Sequence, residues 1–158
     1  MNFKKIVSLS PSVTEILFLL KSGRKVAGVT EQCRRMEQAK DKESVGSFLH
    51  PDVKKIVSLN PDLVITYKKI RDEFLSAELK KRNITVFIFA PVKVEEIFDE
   101  MEKIGSAAGS GNLAKSLTGR LRKRIDLVRE KVSGRALPRV LRLMRGVPVT
   151  IPVTIPSP

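Results

Sequence analysis

Apolar positions along this chain alternate between two spacings. The first run is short and β-branched, Ile6-Val7-Ser8-Leu9, and it leads through Ser10-Pro11-Ser12 into Val13, Ile16, Leu17 and Leu20 at helical intervals, ending before Gly23. Ser12 stands three residues ahead of Glu15, the spacing of a capping box. The segment therefore predicts a strand feeding an amphipathic helix that a glycine stops. The string KKIVSLSP at 4–11 nearly recurs as KKIVSLNP at 54–61, yet its second setting differs. Pro51 suits a first helical turn, Val53, Ile56 and Val57 keep helical spacing, and Asn60-Pro61-Asp62 halts the run before Leu63-Val64-Ile65. The same letters read as a strand in one place and a helix in the other, because short apolar strings do not determine their own conformation. They are not an internal duplication.

The alternation continues. Strands are predicted near 26–30, 63–66 and over Thr85–Phe89, with helices near 71–82 and 94–105. Strands and helices alternating at these lengths predict an α/β fold, a parallel sheet with helices on both faces. Residues 113–132 form the longest periodic stretch, with Leu113, Leu117, Leu121, Ile125, Val128 and Val132 on one stripe, Asn112 as a cap and Gly134 beyond the end. A fifth strand is expected at Val140–Leu143, before a proline-rich tail that repeats PVTIP and suits no central strand.

Composition narrows the reading in three ways. A chain of 158 residues, 42% of them hydrophobic, holds one core of ordinary size. Its single cysteine, Cys33, excludes an internal disulfide framework. The most apolar early stretch, residues 6–20, is interrupted by Pro11 and Glu15, so neither a membrane span nor a secretory leader is expected in this chain. The net charge of +13 points at first to nucleic acid. However, residues 112–146 hold 11 of the 30 Lys and Arg against two of the 17 acids, or +9 of the +13. The excess is local and follows the long helix.

In an open parallel sheet, ligands bind beyond the carboxyl ends of the strands. Four segments converge there: Ser10–Ser12, Thr30–Arg35, Thr66–Lys69 and Ala90–Lys93. They offer hydroxyls, helical N–H groups and the cations Arg34, Arg35, Lys68 and Lys69 to a polar or anionic ligand. The segment from Glu31 to His50 is long for a connection, which marks it as functional. Its Glu31, Cys33 and His50 have no recognisable metal-ligand spacing, and no metal site is expected. Catalytic signatures are also missing. There is no Walker A sequence, nucleophile elbow or dinucleotide fingerprint, and Gly105–Gly111 follows a helix, so it links two helices. The chain reads as a non-enzyme with no catalytic residues.

The stretches KKIVSLSPSVTEILFLL, VAGVTEQC, VGSFLHPDVKKIVSLNPDLVIT and LKKRNITVFIF together resemble the N-terminal half of the cobalamin and ferric-siderophore type of ABC-transporter substrate-binding protein, the class with one rigid helix between two lobes. The similarity runs from about residue 4 to residue 144. It implies a ligand-binding lobe over residues 1–111, a connecting backbone helix over 112–134, and the start of a truncated second lobe with a proline-rich tail over 135–158. It also implies ligand contacts at Ser12, Gln32, Phe48 and Tyr67, where aromatic walls suit a flat macrocycle or aryl siderophore, and the carboxyl edge adds Ser10 and Lys68 as ligand-binding candidates beside them. The implied ligand is cobalamin, haem or a ferric siderophore, with no resident cofactor. The implied location is periplasmic or at the cell surface, and the implied partner is an ABC permease of the FecCD-like type. Permease docking falls on Lys54, with Asp52 as the nearest acid. Cobalamin binders of this type carry an aromatic where Gln32 stands.

Two other readings stay open beside this one. The basic helix 113–132 could bind nucleic acid, although Arg120, Arg122, Lys123 and Arg124 are spread around it instead of on one face. Alternatively, a small α/β enzyme could hold a phosphate-bearing substrate at the Ser10–Ser12 helix start.

Overall fold

The computed structural model describes residues 2–67 and 72–135. Five parallel strands form one sheet: β1 (Ile6–Ser8), β2 (Val26–Val29), β3 (Glu43–Ser44), β4 (Leu63–Tyr67) and β5 (Thr85–Phe89). Their order across the sheet is β3-β2-β1-β4-β5. The helices are α1 (Pro11–Leu19), α2 (Val53–Ser58), α3 (Asp72–Lys80), α4 (Val94–Ala107) and α5 (Gly111–Val132). The expected α/β class and alternation hold, and the strands over 63–67 and 85–89 match the apolar runs that predicted them. The strand expected at Val140–Leu143 and residue Lys68 lie outside the described residues.

Two compact units divide the chain, Met1–Arg124 and Ile125–Pro158. In the first, side-chain alternation along the strands supplies two apolar faces. Val7, Leu9 and Val64 join Ile56 of α2 and Leu75 and Leu79 of α3 in one buried cluster. On the opposite face the Thr14 hydroxyl of α1 donates to Ser8 Oγ at 2.8 Å and to the Ser10 carbonyl at 3.0 Å. Ser8 and Thr14 are fully buried, so this pair satisfies polar atoms that would otherwise be costly inside the core. In the second unit, the described residues are the end of α5 and the three that follow. There Arg129 pairs with Asp126 at 3.4 Å, and Leu127, Val128 and Val132 are each more than half exposed.

The recurring string does what its neighbours dictate. Ile6–Ser8 is a buried strand, whereas Val53–Ser58 is a helix capped by Asp52, whose Oδ1 accepts the Lys55 N–H at 3.1 Å. Asp62, after the second copy, ties the two together. Its Oδ2 accepts the N–H groups of Lys4 at 2.8 Å and Lys5 at 2.9 Å. Those two backbone bonds, Lys4 first, hold its carboxyl below the usual carboxylate range.

Several local expectations need correction. The Ser12–Glu15 capping box does not form, because α1 begins two residues earlier than that cap would start it, at Pro11, with Ser10 as N-cap in extended backbone. Gly23 does not end α1. The left-handed position falls on Lys21 (φ 56°), and the Ser22 N–H closes the helix on the Leu17 carbonyl at 2.8 Å. Asn112 is likewise inside α5, which starts at Gly111 with the Ala114 N–H bonded to the Ser110 carbonyl at 3.0 Å. The segment Glu31–His50 is not simply a connection. It contains two single 3-10 turns, Cys33–Arg35 and Glu37–Ala39, and the edge strand β3, which is too short to show an alternating pattern.

Candidate functional site

Parallel strands bring their carboxyl ends to one edge; the register keeps the ends of β3, β2 and β1 level, and β4 and β5 run two residues further. Ser8 pairs with Val29 and Ile65, Val29 with Ser44, and Tyr67 with Phe89. Read across the sheet, the first residues beyond the strands are the Gly46–Pro51 bend after β3, the Thr30–Gln32 turn after β2, Ser10–Ser12 after β1, and Tyr67 itself ending β4. The strand order also reverses between β1 and β4, since β2 and β3 lie on one side of β1 and β4 and β5 on the other. Open parallel sheets take their ligands at such a switch point, beyond the carboxyl ends of the strands, which here is the edge between Ser10–Ser12 and Tyr67.

Each expected residue has a distinct setting on that edge. Ser10 is 3% exposed and its hydroxyl lies 2.9 Å from that of Ser12. Ser12, on the first turn of α1, is the exposed member of the pair. Gln32 and Phe48, sixteen residues apart, are brought together because Gln32 Oε1 accepts the Phe48 N–H at 2.8 Å. Gln32 therefore fixes the bend that presents the half-buried Phe48. That bend is further set by Gly46 at φ 91°, where a Cβ would come within 2.7 Å of the His50 carbonyl and 2.9 Å of the Asp52 nitrogen. The Ser47 N–H donates to the His50 carbonyl at 3.2 Å, and Gly46 bridges Pro51.

Tyr67 is 37% exposed. Its ring leans on that of Phe89, with centroids 6.0 Å apart and planes at 54°, a tilted arrangement that holds an aromatic surface in place. Sequence reasoning missed Phe89 as the support, although two aromatics ending adjacent strands were a readable signal. Beyond β5, Glu96 Oε2 accepts the N–H groups of Val92 at 2.7 Å and Lys93 at 3.2 Å. These bonds, Val92 first, keep the Glu96 carboxyl below its usual range and anchor the loop at the edge. Val92 is 90% exposed. Arg34, the exposed cation after β2, donates from Nε to the Lys40 carbonyl at 3.0 Å.

The other candidates separate from this edge. Cys33 is buried with its sulfur 3.0 Å from Thr30 Oγ1, whereas His50 is exposed. Asp52 is half-buried and capping α2, while Lys54 is exposed and lines a cavity of about 300 Å³ with Val53, Val57, Ser58 and Arg82. On α5, Arg122 is drawn onto α4. Its guanidinium meets Asp99 at 2.7 Å and Glu102 at 3.9 Å, and stands 5.0 Å from the centre of the Phe98 ring. This removes one cation from the set that suggested nucleic acid. Arg120, Lys123 and Arg124 are exposed.

Comparison with known proteins agrees with this fold. The sequence profile of the family described as Periplasmic binding protein matches residues 6–153. An ABC transporter substrate-binding lipoprotein of Bacillus subtilis, YvrC, is 35% identical over 131 residues, covering 81% of this chain and 41% of the relative. Among solved structures, the periplasmic vitamin B12-binding protein BtuF of Vibrio cholerae superposes with a TM-score of 0.73 at 24% identity, over 84% of this chain and 52% of that one. The periplasmic heme-binding protein RhuT of Roseiflexus sp. RS-1 gives 0.73 at 25%, over 85% and 52%. The chain thus spans about half the length of the relatives it matches. Among the described residues, no helix is long and apolar enough to cross a membrane. With a profile match across nearly its whole length and a relative 35% identical over 81% of it, the chain belongs to the periplasmic binding protein family.

Proposed function

We propose that this chain forms one wall of the ligand cleft of an ABC-importer substrate-binding protein, whose cargo is a metal chelate of the corrinoid, haem or ferric-siderophore class. The observation that carries this reading is the order of Phe48, Ser12 and Tyr67 along the carboxyl edge of the sheet, after β3, after β1 and at the end of β4, with Phe48 fixed by Gln32 and Tyr67 backed by Phe89. Two aromatic rings flanking a hydroxyl suit a broad, partly apolar ligand with polar edges. The names of the lipoprotein, vitamin B12-binding and heme-binding relatives support the same class.

The role is capture without chemistry. Among the described residues, no group on this edge pairs a nucleophile with a base, and the bonded hydroxyls of Ser10 and Ser12 serve as donors and acceptors for a bound molecule. Lys68 extends the same edge by sequence position. Delivery is to an ABC permease of the FecCD-like type at the periplasmic or outer cell face, with Lys54 and Asp52 on the docking side. Asp52 already gives one carboxylate oxygen to the α2 cap, so Lys54 is the freer charge and favours an acidic partner surface.

The reading is tested by titrating Tyr67→Ala and Phe48→Ala against cobalamin, haem and ferric siderophores by calorimetry. Each variant is expected to lose about tenfold or more in affinity for the chelate that binds the unaltered chain, with thermal unfolding little changed because both rings are partly exposed. Unchanged affinity in both variants overturns the site.

A further inference from the structure

Two cavities adjoin beside the carboxyl end of α1, sharing Phe18 and Gln38 as a common wall. One, of about 320 Å³, is lined mostly by apolar groups, Phe18, Leu19 and Met36, with Glu15 at its side. The other, of about 330 Å³, gathers Lys21, Arg24 and Lys42 around Phe18 and Gly23. Together they reach the size of ordinary small-molecule sites. None of their residues belongs to the strand-end site.

The three cations are not committed to structure. Among the described residues, none of their side chains makes a hydrogen bond or an ion pair, in contrast to Lys25, whose Nζ is held by Asn2 at 2.6 Å and the Ala108 carbonyl at 2.7 Å. They are not needed to close α1 either, because its last carbonyls accept the backbone N–H groups of Leu20, Lys21 and Ser22. Two backbone features maintain the pair of cavities. Lys21 adopts φ 56°, a left-handed conformation that favours glycine, so a charged side chain occupies a position where glycine fits better. At Gly23 a Cβ would lie 2.4 Å from the Phe18 ring, so only glycine leaves that ring in place as the shared wall.

The geometry points to a second binding site, for an anionic amphiphile, with a phosphate group held between Lys21, Arg24 and Lys42 and a short hydrocarbon chain lying over Phe18, Leu19 and Met36. Three donors around one cavity whose own lining holds no acid suit a phosphate ester, and the adjoining, mostly apolar cavity selects one that carries a chain. This site is independent of chelate binding, and neither proposal depends on the other.

The probes are dihexanoyl phosphatidic acid below its micelle concentration, glycerol 3-phosphate as the headgroup without chains, and vesicles of phosphatidylglycerol or phosphatidylcholine. Calorimetry and vesicle co-sedimentation on the full chain are compared for the unaltered protein, Lys21→Gly, Arg24→Gln/Lys42→Gln and a control with equal charge loss or more, Arg120→Gln/Lys123→Gln/Arg124→Gln. The soluble phosphatidic acid is expected to saturate one site, at least about tenfold more tightly than glycerol 3-phosphate. Arg24→Gln/Lys42→Gln and Lys21→Gly are expected to weaken it about tenfold, and the α5 control less than about twofold. Lys21→Gly is also expected to keep or raise the melting temperature, which separates lost binding from lost folding. Phosphatidylglycerol vesicles retained by the unaltered chain but not by Arg24→Gln/Lys42→Gln identify a membrane lipid as the source. Soluble binding without vesicle binding identifies a free phosphorylated amphiphile. Equal weakening in all three variants, or equal affinity with and without the acyl chains, overturns the site and leaves general charge attraction.

Discussion

At the scale of the residue, a few backbone contacts decide where the site lies. Asp62 joins the starts of β1 and β4 through the N–H groups of Lys4 and Lys5, and its folded carboxyl is held below the ordinary value. A depressed acid contributes stability that is present above its unfolded pKa and is lost as pH falls through the folded one. Asp62→Asn is therefore expected to lower stability at neutral pH and to flatten the acid side of the urea-midpoint profile. A profile parallel to that of the unaltered chain would show that the charge is not coupled to folding. Gly46 is the second such contact. Its positive φ and the 2.7 Å approach to the His50 carbonyl leave no room for a side chain. Gly46→Ala is expected to cost more than about 1 kcal/mol, read from chemical denaturation, and to disturb the Gln32–Phe48 hydrogen bond along with it.

At the scale of the element, the alternation of strand and helix was legible because buried parallel strands are continuous apolar runs and the helices between them keep their stripe. Leu63–Tyr67 is of this kind, whereas Thr85–Phe89, an edge strand with only Phe89 buried, was legible from its β-branched and aromatic residues. What failed was the assignment of ends. Ser12 and Glu15 had the right spacing for a cap, but Pro11 is pre-set for a first helical turn and moves the start forward, so Ser10 becomes the cap position. Gly23 looked like a helix stop, yet its lack of a side chain serves the Phe18 ring instead. The strand β3 escaped notice because two residues carry no period. At the site, Tyr67 and the Ser10–Ser12 turn could be placed from the rule that parallel sheets use their carboxyl edge. Gln32 and Phe48 depended on the resemblance, and their hydrogen bond depends on a bend that no local pattern announces. The junction of α4 and α5 offers a test at this scale. A Cβ on Gly105 would come within 2.4 Å of Ala114 Cβ and 3.4 Å of Leu20, so these elements cross at close range. Gly105→Val is expected to destabilise the fold by about 1–3 kcal/mol, as overpacking does. A midpoint within error of the unaltered chain would show that the crossing yields freely.

At the scale of the whole molecule, charge and ligand chemistry are distributed on different parts of the chain. The aromatic and hydroxyl groups gather at the carboxyl edge of the sheet, whereas unpaired cations gather beside the end of α1. The basic character that first suggested nucleic acid is concentrated over residues 112–146, and Arg122 within it is occupied by Asp99 and Phe98. The chain covers about half of its relatives' length. Dependence of chelate affinity on Tyr67 and Phe48 is the property that separates the proposed edge binding from surface adsorption.

The most direct measurement is a fluorescence titration of the unaltered chain against cobalamin, haem and a panel of ferric siderophores. Tyr67 is the only tyrosine and there is no tryptophan, so the emission reports on the proposed wall alone. Free tyrosine at matched absorbance corrects for light taken up by the chelates. The account predicts saturable quenching by one chelate class in excess of that control. Quenching that follows the free-tyrosine control for every chelate would contradict it.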